Sequence, residues 1–168
     1  MTLYRYILSR EPQSAKIRNN LAMAYADAGN VQAAIPLYRD AIRLDDEFPQ
    51  THHNLANAYL ALGDEARALE EFTRAAAMDP RFYPAWIWLG AVHLRRQELD
   101  ASRDAFERAI RAYPYASEAY LGLAKIHLAR GDRRAALAVL QDGLKALPRH
   151  PLLQATLDRV RTAATPPP

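Results

Sequence analysis

Leucine recurs through this chain at a fixed interval. Leu21, Leu55, Leu89 and Leu123 stand 34 positions apart. Other positions keep the same period. Tyr25 and Tyr59 follow the first two leucines by four residues, and His93 and His127 take that place later. Ala34, Ala68, Ser102 and Ala136 share one phase, and Tyr38, Phe72, Phe106 and Leu140 share another. Ala41, Ala75, Ala109 and Gly143 share a third, and Pro80, Pro114 and Pro148 close three of the units where the first has Asp46. A unit this short cannot bury its apolar face alone. It must stack on its neighbours, which limits the chain to a linear array.

Each unit reads as two helices. In the second, a helix from about Thr51 to Leu62 stops at Gly63, a residue that tolerates a left-handed C-cap. Asp64 then caps a second helix, which Asp79-Pro80 ends. Asn30 and Asp132 take the place of Asp64, after Gly29 and Gly131. The third unit has Gln97 where the others have that glycine, so its turn is expected to be strained. Pro36 falls in the second turn of a helix and removes one backbone hydrogen bond, which predicts a slight bend.

These residues resemble the tetratricopeptide repeat family, whose pattern is Trp-x2-Leu-Gly-x2-Tyr, then Ala-x3-Phe, then Pro. The third unit carries Trp86, Leu89, Gly90, Phe106 and Pro114 and departs at His93 and Ser102; the second carries Leu55, Ala56, Tyr59, Ala68, Phe72, Ala75 and Pro80. The resemblance implies an all-α fold, a right-handed α-solenoid of helix-turn-helix repeats. Repeats are expected at 15–48, 49–82, 83–116 and 117–150. Residues 1–14, with Tyr4 and Ile7, read as a half-repeat helix, either a cap or the edge of a longer array. Residues 151–163 carry Leu152, Leu153, Leu157 and Val160 as one stripe and read as a capping helix. Residues 164–168 read as a disordered tail.

Composition narrows the function. The chain has 168 residues, 22 Lys plus Arg against 19 Asp plus Glu, and no cysteine. Disulfides, thiolate catalysis and Cys-ligated zinc are therefore excluded. No apolar run reaches the roughly 18 residues of a spanning helix, and the first twelve residues lack a signal-peptide core. A cytoplasmic protein without membrane contact is expected. No nucleophile elbow, phosphate-binding loop or metalloprotease motif occurs. His52 and His53 point about 100° apart on a helix and cannot share a metal there. No enzyme activity, cofactor or metal is expected. Arg95, Arg96, Arg103, Arg108 and Arg111 are interleaved with Asp100, Asp104 and Glu107, a pattern of intrahelical pairs that makes nucleic-acid binding the weaker reading. Residues 85–168 hold 13 basic and 8 acidic side chains. That gradient could favour an acidic partner at the C-terminal half, but a solvated helix surface is the stronger reading.

The first helix of each repeat has two faces. With Trp86 at 0°, Leu89, Gly90 and His93 fall at about 300°, 40° and 340° and share its packing face. Ile87, Trp88, Ala91, Leu94 and Arg95 fall between about 80° and 200°. In tetratricopeptide arrays the matching arc lines the concave groove where peptides or partner helices dock. Position by position, the resemblance therefore implies a groove of Asn19, Asn20, Met23 and Asp27, then Gln50, His53, Asn54 and Asn57. Ile87, Trp88, Ala91 and Arg95 follow, then Glu118, Leu121, Gly122 and Lys125. Asn20 and Asn54 stand one repeat apart, like part of the asparagine ladder of some members, and amides can both donate to and accept from a peptide backbone. Trp88 is expected to be the exposed anchor, since aromatic residues are enriched at binding hot spots. The carboxylate clamp of one subfamily would need Asn19, Met23, Asn54, Pro84 and Trp88 to be its Lys, Asn and Arg residues. Only Asn54 fits, so a co-chaperone role is excluded.

The expectation is a non-catalytic scaffold that binds a protein or peptide partner in its concave groove. The alternative is an accessory segment of a larger enzyme or of a secretion or assembly complex. The partner, the pathway and the oligomeric state are not encoded in these motifs.

Overall fold

A computed structural model of the chain describes Tyr6 and residues 9–163. The half-repeat helix and the tail expected at the two ends fall largely outside the described residues. Among those residues the fold is all-α, with nine helices. They are α1 (Ala15–Asp27), α2 (Val31–Leu44), α3 (Pro49–Ala61), α4 (Glu65–Met78), α5 (Tyr83–Arg95), α6 (Leu99–Ala112), α7 (Ser117–Ala129), α8 (Arg133–Ala146) and α9 (Pro151–Thr162). The chain forms two compact units, Met1–Ala85 and Trp86–Pro168.

The turns within the helix pairs follow from local chemistry. Gly29, Gly63 and Gly131 have φ near +78°, +78° and +75°, where a side chain would be strained. The residue that follows each glycine is a short acceptor. Asn30, Asp64 and Asp132 each take the backbone N–H three residues on, at 3.3, 3.0 and 2.9 Å, satisfying one of the orphan donors of the helix start. The turn between α5 and α6 departs from this, as its sequence predicts. Gln97 adopts φ +60° without being glycine, in a region costly for a residue with a Cβ. Glu98 stands at the N-cap but makes no side-chain cap bond. Instead its carboxylate accepts from His93 Nδ1 at 2.5 Å and pairs with Arg96 at 2.9 Å. These contacts, led by the His93 hydrogen bond, hold the Glu98 pKa below the usual carboxylate range. Helix α2 runs unbroken through Pro36.

In the unit 1–85, the core is built from Leu21, Ala34, Tyr38, Ala41, Leu55, Tyr59, Ala68 and Phe72, all buried. Small residues at the repeat phases let the helices approach, and the aromatic residues fill the space between them. In the unit 86–168, Tyr120, Ala124, Ala136, Leu140, Leu153, Leu157 and Val160 form one apolar cluster. The stripe of α9 supplies Leu153, Leu157 and Val160 to it. Gly143 in α8 lies so close to Tyr120 that a Cβ there would stand 2.9 Å from the ring.

Candidate functional site

The residues expected to line a groove fall on both units and behave differently in each. In the unit 1–85, the amides of α1 and α3 meet. Asn54 Nδ2 donates to Asn19 Oδ1 at 3.3 Å, and Asn19 Nδ2 reaches Asn20 Oδ1 at 3.5 Å and Met23 Sδ at 3.6 Å. Asn54 therefore pairs with Asn19 and not with Asn20, the residue at its repeat-equivalent position. Asn19, Asn20, Asn54 and Asn57 are half-buried, while Met23, Asp27 and Gln50 are exposed.

His53 departs from the expectation of an open groove residue. It is only 9% exposed. Its ring packs edge-on against Phe72 and Phe82, with centroids 5.5 and 5.4 Å away. The helical angle of His53 is that of the groove arc, but the two phenylalanines cover it. Burial pushes its pKa below the ordinary value, opposed only by a hydrogen bond to Asn54, so the ring is neutral near pH 7. Asn57 Nδ2 lies 3.4 Å from His53 Nδ1.

The neighbouring His52 is the polar centre that sequence spacing does not reveal. It is 2% exposed and stands between two carboxylates. Nδ1 lies 2.6 Å from Glu71 Oε2 on α4, and Nε2 lies 2.6 Å from Asp46 Oδ1 in the turn after α2. With an acceptor at each ring nitrogen, both must donate, which is the imidazolium form. Burial alone would lower the pKa, but the hydrogen bonds and charges of Glu71 and Asp46 outweigh it and leave the value raised. Arg74 pairs with the other Glu71 oxygen at 3.3 Å. The adjacent histidines are thus shifted in opposite directions.

In the unit 86–168, α5 and α7 line a cleft of about 580 Å³. It brings together Ile87, Trp88, Ala91, Leu94 and Arg95 of α5 with Glu118, Leu121, Gly122 and Lys125 of α7, all on the arc that helical angle picks out, and adds Phe106. That volume lies within the range of small-ligand sites, roughly 300–1,000 Å³. Trp88 is 38% exposed, large for so apolar a side chain. Phe106 is the floor, and it is the residue that the helical angles of α5 and α7 could not supply, because it comes from α6. A Cβ on Gly90 would stand 2.7 Å from the Phe106 ring, and one on Gly122 closer still. The two glycines therefore admit the ring, and the missing side chain at 122 keeps the cleft open opposite Trp88. Behind α5, Ser102 is fully buried and its hydroxyl donates to Gly90 O at 2.7 Å, which accounts for a serine where the repeats carry alanine.

Trp86 is less buried than its packing phase predicts. It is partly exposed, and the Arg108 guanidinium carbon lies 4.9 Å from its ring centroid, a cation–π contact. The other arginines of this region pair as their spacing predicts: Arg103 with Asp100 and Glu107, Arg108 with Asp104, and Arg111 with Glu107. Arg130 also pairs with Asp100, at 2.8 Å. No helix among the described residues is long and apolar enough to cross a membrane.

Known proteins repeat this architecture. The sequence matches three patterns described as tetratricopeptide repeat, over residues 13–81, 53–117 and 98–160. No curated protein matches the chain. Among solved structures, MamA aligns with a TM-score of 0.79 at 23% identity, over 87% of this chain and 85% of its own. PilF of Pseudomonas aeruginosa aligns with a TM-score of 0.77 at 18% identity, over 92% of this chain and 70% of its own. A chain of the APC/C hetero-tetramer Cut9–Hcn1 aligns with a TM-score of 0.77 at 15% identity, over 96% of this chain but 32% of its own. At these identities the likeness is one of fold. The three sequence matches together run from residue 13 to residue 160, and the chain belongs to the tetratricopeptide repeat family, an all-α fold of protein-interaction repeats.

Proposed function

We propose that this protein is a non-catalytic scaffold that docks a protein or peptide partner, and that the cleft between α5 and α7 is its principal contact. The observation that carries this reading is Trp88: a half-exposed indole at the edge of an apolar 580 Å³ cleft, beside Ile87 and Leu121. Exposed aromatic side chains of this kind dominate binding energy when a partner covers them. The amides of Asn19, Asn20 and Asn54 offer donors and acceptors on the other unit, suited to holding a peptide backbone without reading its sequence. The scaffold reading fits a fold whose functions reside in grafted surfaces.

A photoreactive amino acid placed at Lys125, in the cleft, and separately at Asp104, on the exposed side of α6, tests this in native lysate. Cross-links to a defined partner from position 125 and not from 104, lost on Trp88→Ala, are expected. Equal cross-linking from both positions, or cross-links indifferent to Trp88→Ala, would contradict it.

A second reading is favoured by one observation. The repeats align over nearly their full length with about a third of a chain in the Cut9–Hcn1 hetero-tetramer. The same array can thus serve as a segment of a larger assembly. In that case the cross-linked partner is a stoichiometric subunit that co-purifies at every stage.

A further inference from the structure

The cleft has a charge polarity that its apolar floor does not share. At one end stand Arg95, the last residue of α5, and Lys125 of α7, both exposed. Glu118 stands at the start of α7. Seven residues of helix separate Glu118 from Lys125, about 10 Å along the axis. Between them the lining is Ile87, Trp88, Ala91, Leu94, Phe106 and Leu121. The cleft therefore presents an apolar seat, two cations at one end and one carboxylate at the other. None of these cations occupies a position of the family's carboxylate clamp, where this chain has Pro84 and Trp88 on α5.

From this charge pattern we infer that the docked segment is a peptide pairing a bulky apolar side chain, seated between Trp88 and Leu121, with a carboxylate side chain toward Arg95 and Lys125. The inference rests on the docking reading above and adds the partner's chemistry and direction. Leu121 and Lys125 are four residues apart, about 6 Å along the helix. In an extended peptide, residues i and i+2 on one face are separated by nearly the same distance, about 6.6 Å. An apolar-x-acidic triplet thus spans seat and cations together. A basic residue at the acidic place meets two like charges. A carboxylate at the opposite end meets Glu118. Complementarity of this kind sets orientation and partner choice more than raw affinity.

A random peptide library displayed on phage, selected on the full chain and counter-selected on Trp88→Ala, tests both layers. Expected are Trp88-dependent peptides enriched in apolar-x-Asp/Glu. A synthetic fluorescent peptide from that set should bind about two- to fivefold more weakly to Lys125→Glu and to Arg95→Glu, in line with exposed charge pairs. It should also lose affinity with added salt, whereas its Glu→Lys counterpart should regain binding on Lys125→Glu. Trp88-dependent peptides that are basic or uncharged, or charge reversals without effect, would overturn the acidic partner while leaving the docking reading intact. Absence of any Trp88-dependent peptide would overturn both.

Discussion

The ring of Phe106 occupies the space that a side chain at Gly122 would need. The same ring lies against Gly90, where a Cβ would meet it at 2.7 Å. One aromatic side chain of α6 is thereby wedged between the backbones of α5 and α7, and that wedge forms the floor of the cleft. Alanine at 122 would gain about 1 kcal/mol of helix propensity. It would also force Phe106 out of place, and overpacking of this kind costs roughly 1–3 kcal/mol. Gly122→Ala is therefore expected to lower the urea midpoint despite the better helix former. A midpoint at or above that of the parent would show that the ring yields freely.

Ser102→Ala should cost about 1 kcal/mol, the net worth of one buried hydrogen bond. The loss is bounded because alanine fits this phase in the other repeats, and Gly90 O remains within its helix. Chemical denaturation of the two proteins measures it. No loss would mean that the Ser102 hydroxyl contributes nothing to holding α6 on α5.

His52 and His53 should titrate on opposite sides of 6.5. His52, held between Glu71 and Asp46, is raised; His53, packed against two phenylalanines, is lowered. Imidazole NMR signals followed from pH 5 to 9 resolve them. The signs carry over to stability. The contribution of His52 is fully present below about 6.5, where the unfolded ring is also protonated, and is lost as pH rises through its folded value. His53 acts in the opposite sense, because the unfolded ring binds a proton below about 6.5 that the buried ring refuses. The stability gap between the parent and His52→Gln should accordingly be widest near pH 6 and narrow toward pH 9. A gap that widens with pH would contradict the imidazolium assignment.

Much of this fold is legible in the sequence because the repeat, the turn glycines and the capping residues are local. Leu21 to Leu123 give the register, and Gly63-Asp64 gives a turn and a cap from two adjacent letters. The Gln97 turn is legible for the same reason, as a missing glycine. The cleft is legible in part. Helical angle alone places Ile87, Trp88, Leu121 and Lys125 on one surface, since α5 and α7 present equivalent faces. What the angle lacks is the third element. Phe106 reaches the cleft from α6, and Phe72 and Phe82 cover His53. Gly122, a second glycine in the phase where the preceding repeat has Trp88, is the signal that something large occupies the space above it. The ion cluster at His52 joins residues 6 and 19 positions away, through a turn whose path no periodicity encodes. The choice of Asn19 over Asn20 as partner of Asn54 is a matter of side-chain placement across α1 and α3, which a repeat register does not encode.

Trp86 and Trp88 are the two tryptophans of the chain, about 200° apart on α5. Trp86→Ala is expected to cost about 2–4 kcal/mol, somewhat less than the roughly 3–5 of a fully buried aromatic, because Trp86 keeps part of its surface in water. Arg108→Ala should itself cost about 0.5–1 kcal/mol by removing the cation over that ring. Urea melts of the single variants measure both.

The most direct test of the docking surface is Trp88→Ala measured twice, for stability and for affinity. Stability should change by less than about 1 kcal/mol, since Trp88 is a surface side chain. Binding of the partner cross-linked at position 125, titrated by calorimetry, should weaken by roughly 2 kcal/mol, near thirtyfold. A variant that unfolds as readily as Trp86→Ala, or that binds the partner within threefold of the parent, would contradict the assignment of the α5–α7 cleft as the docking site.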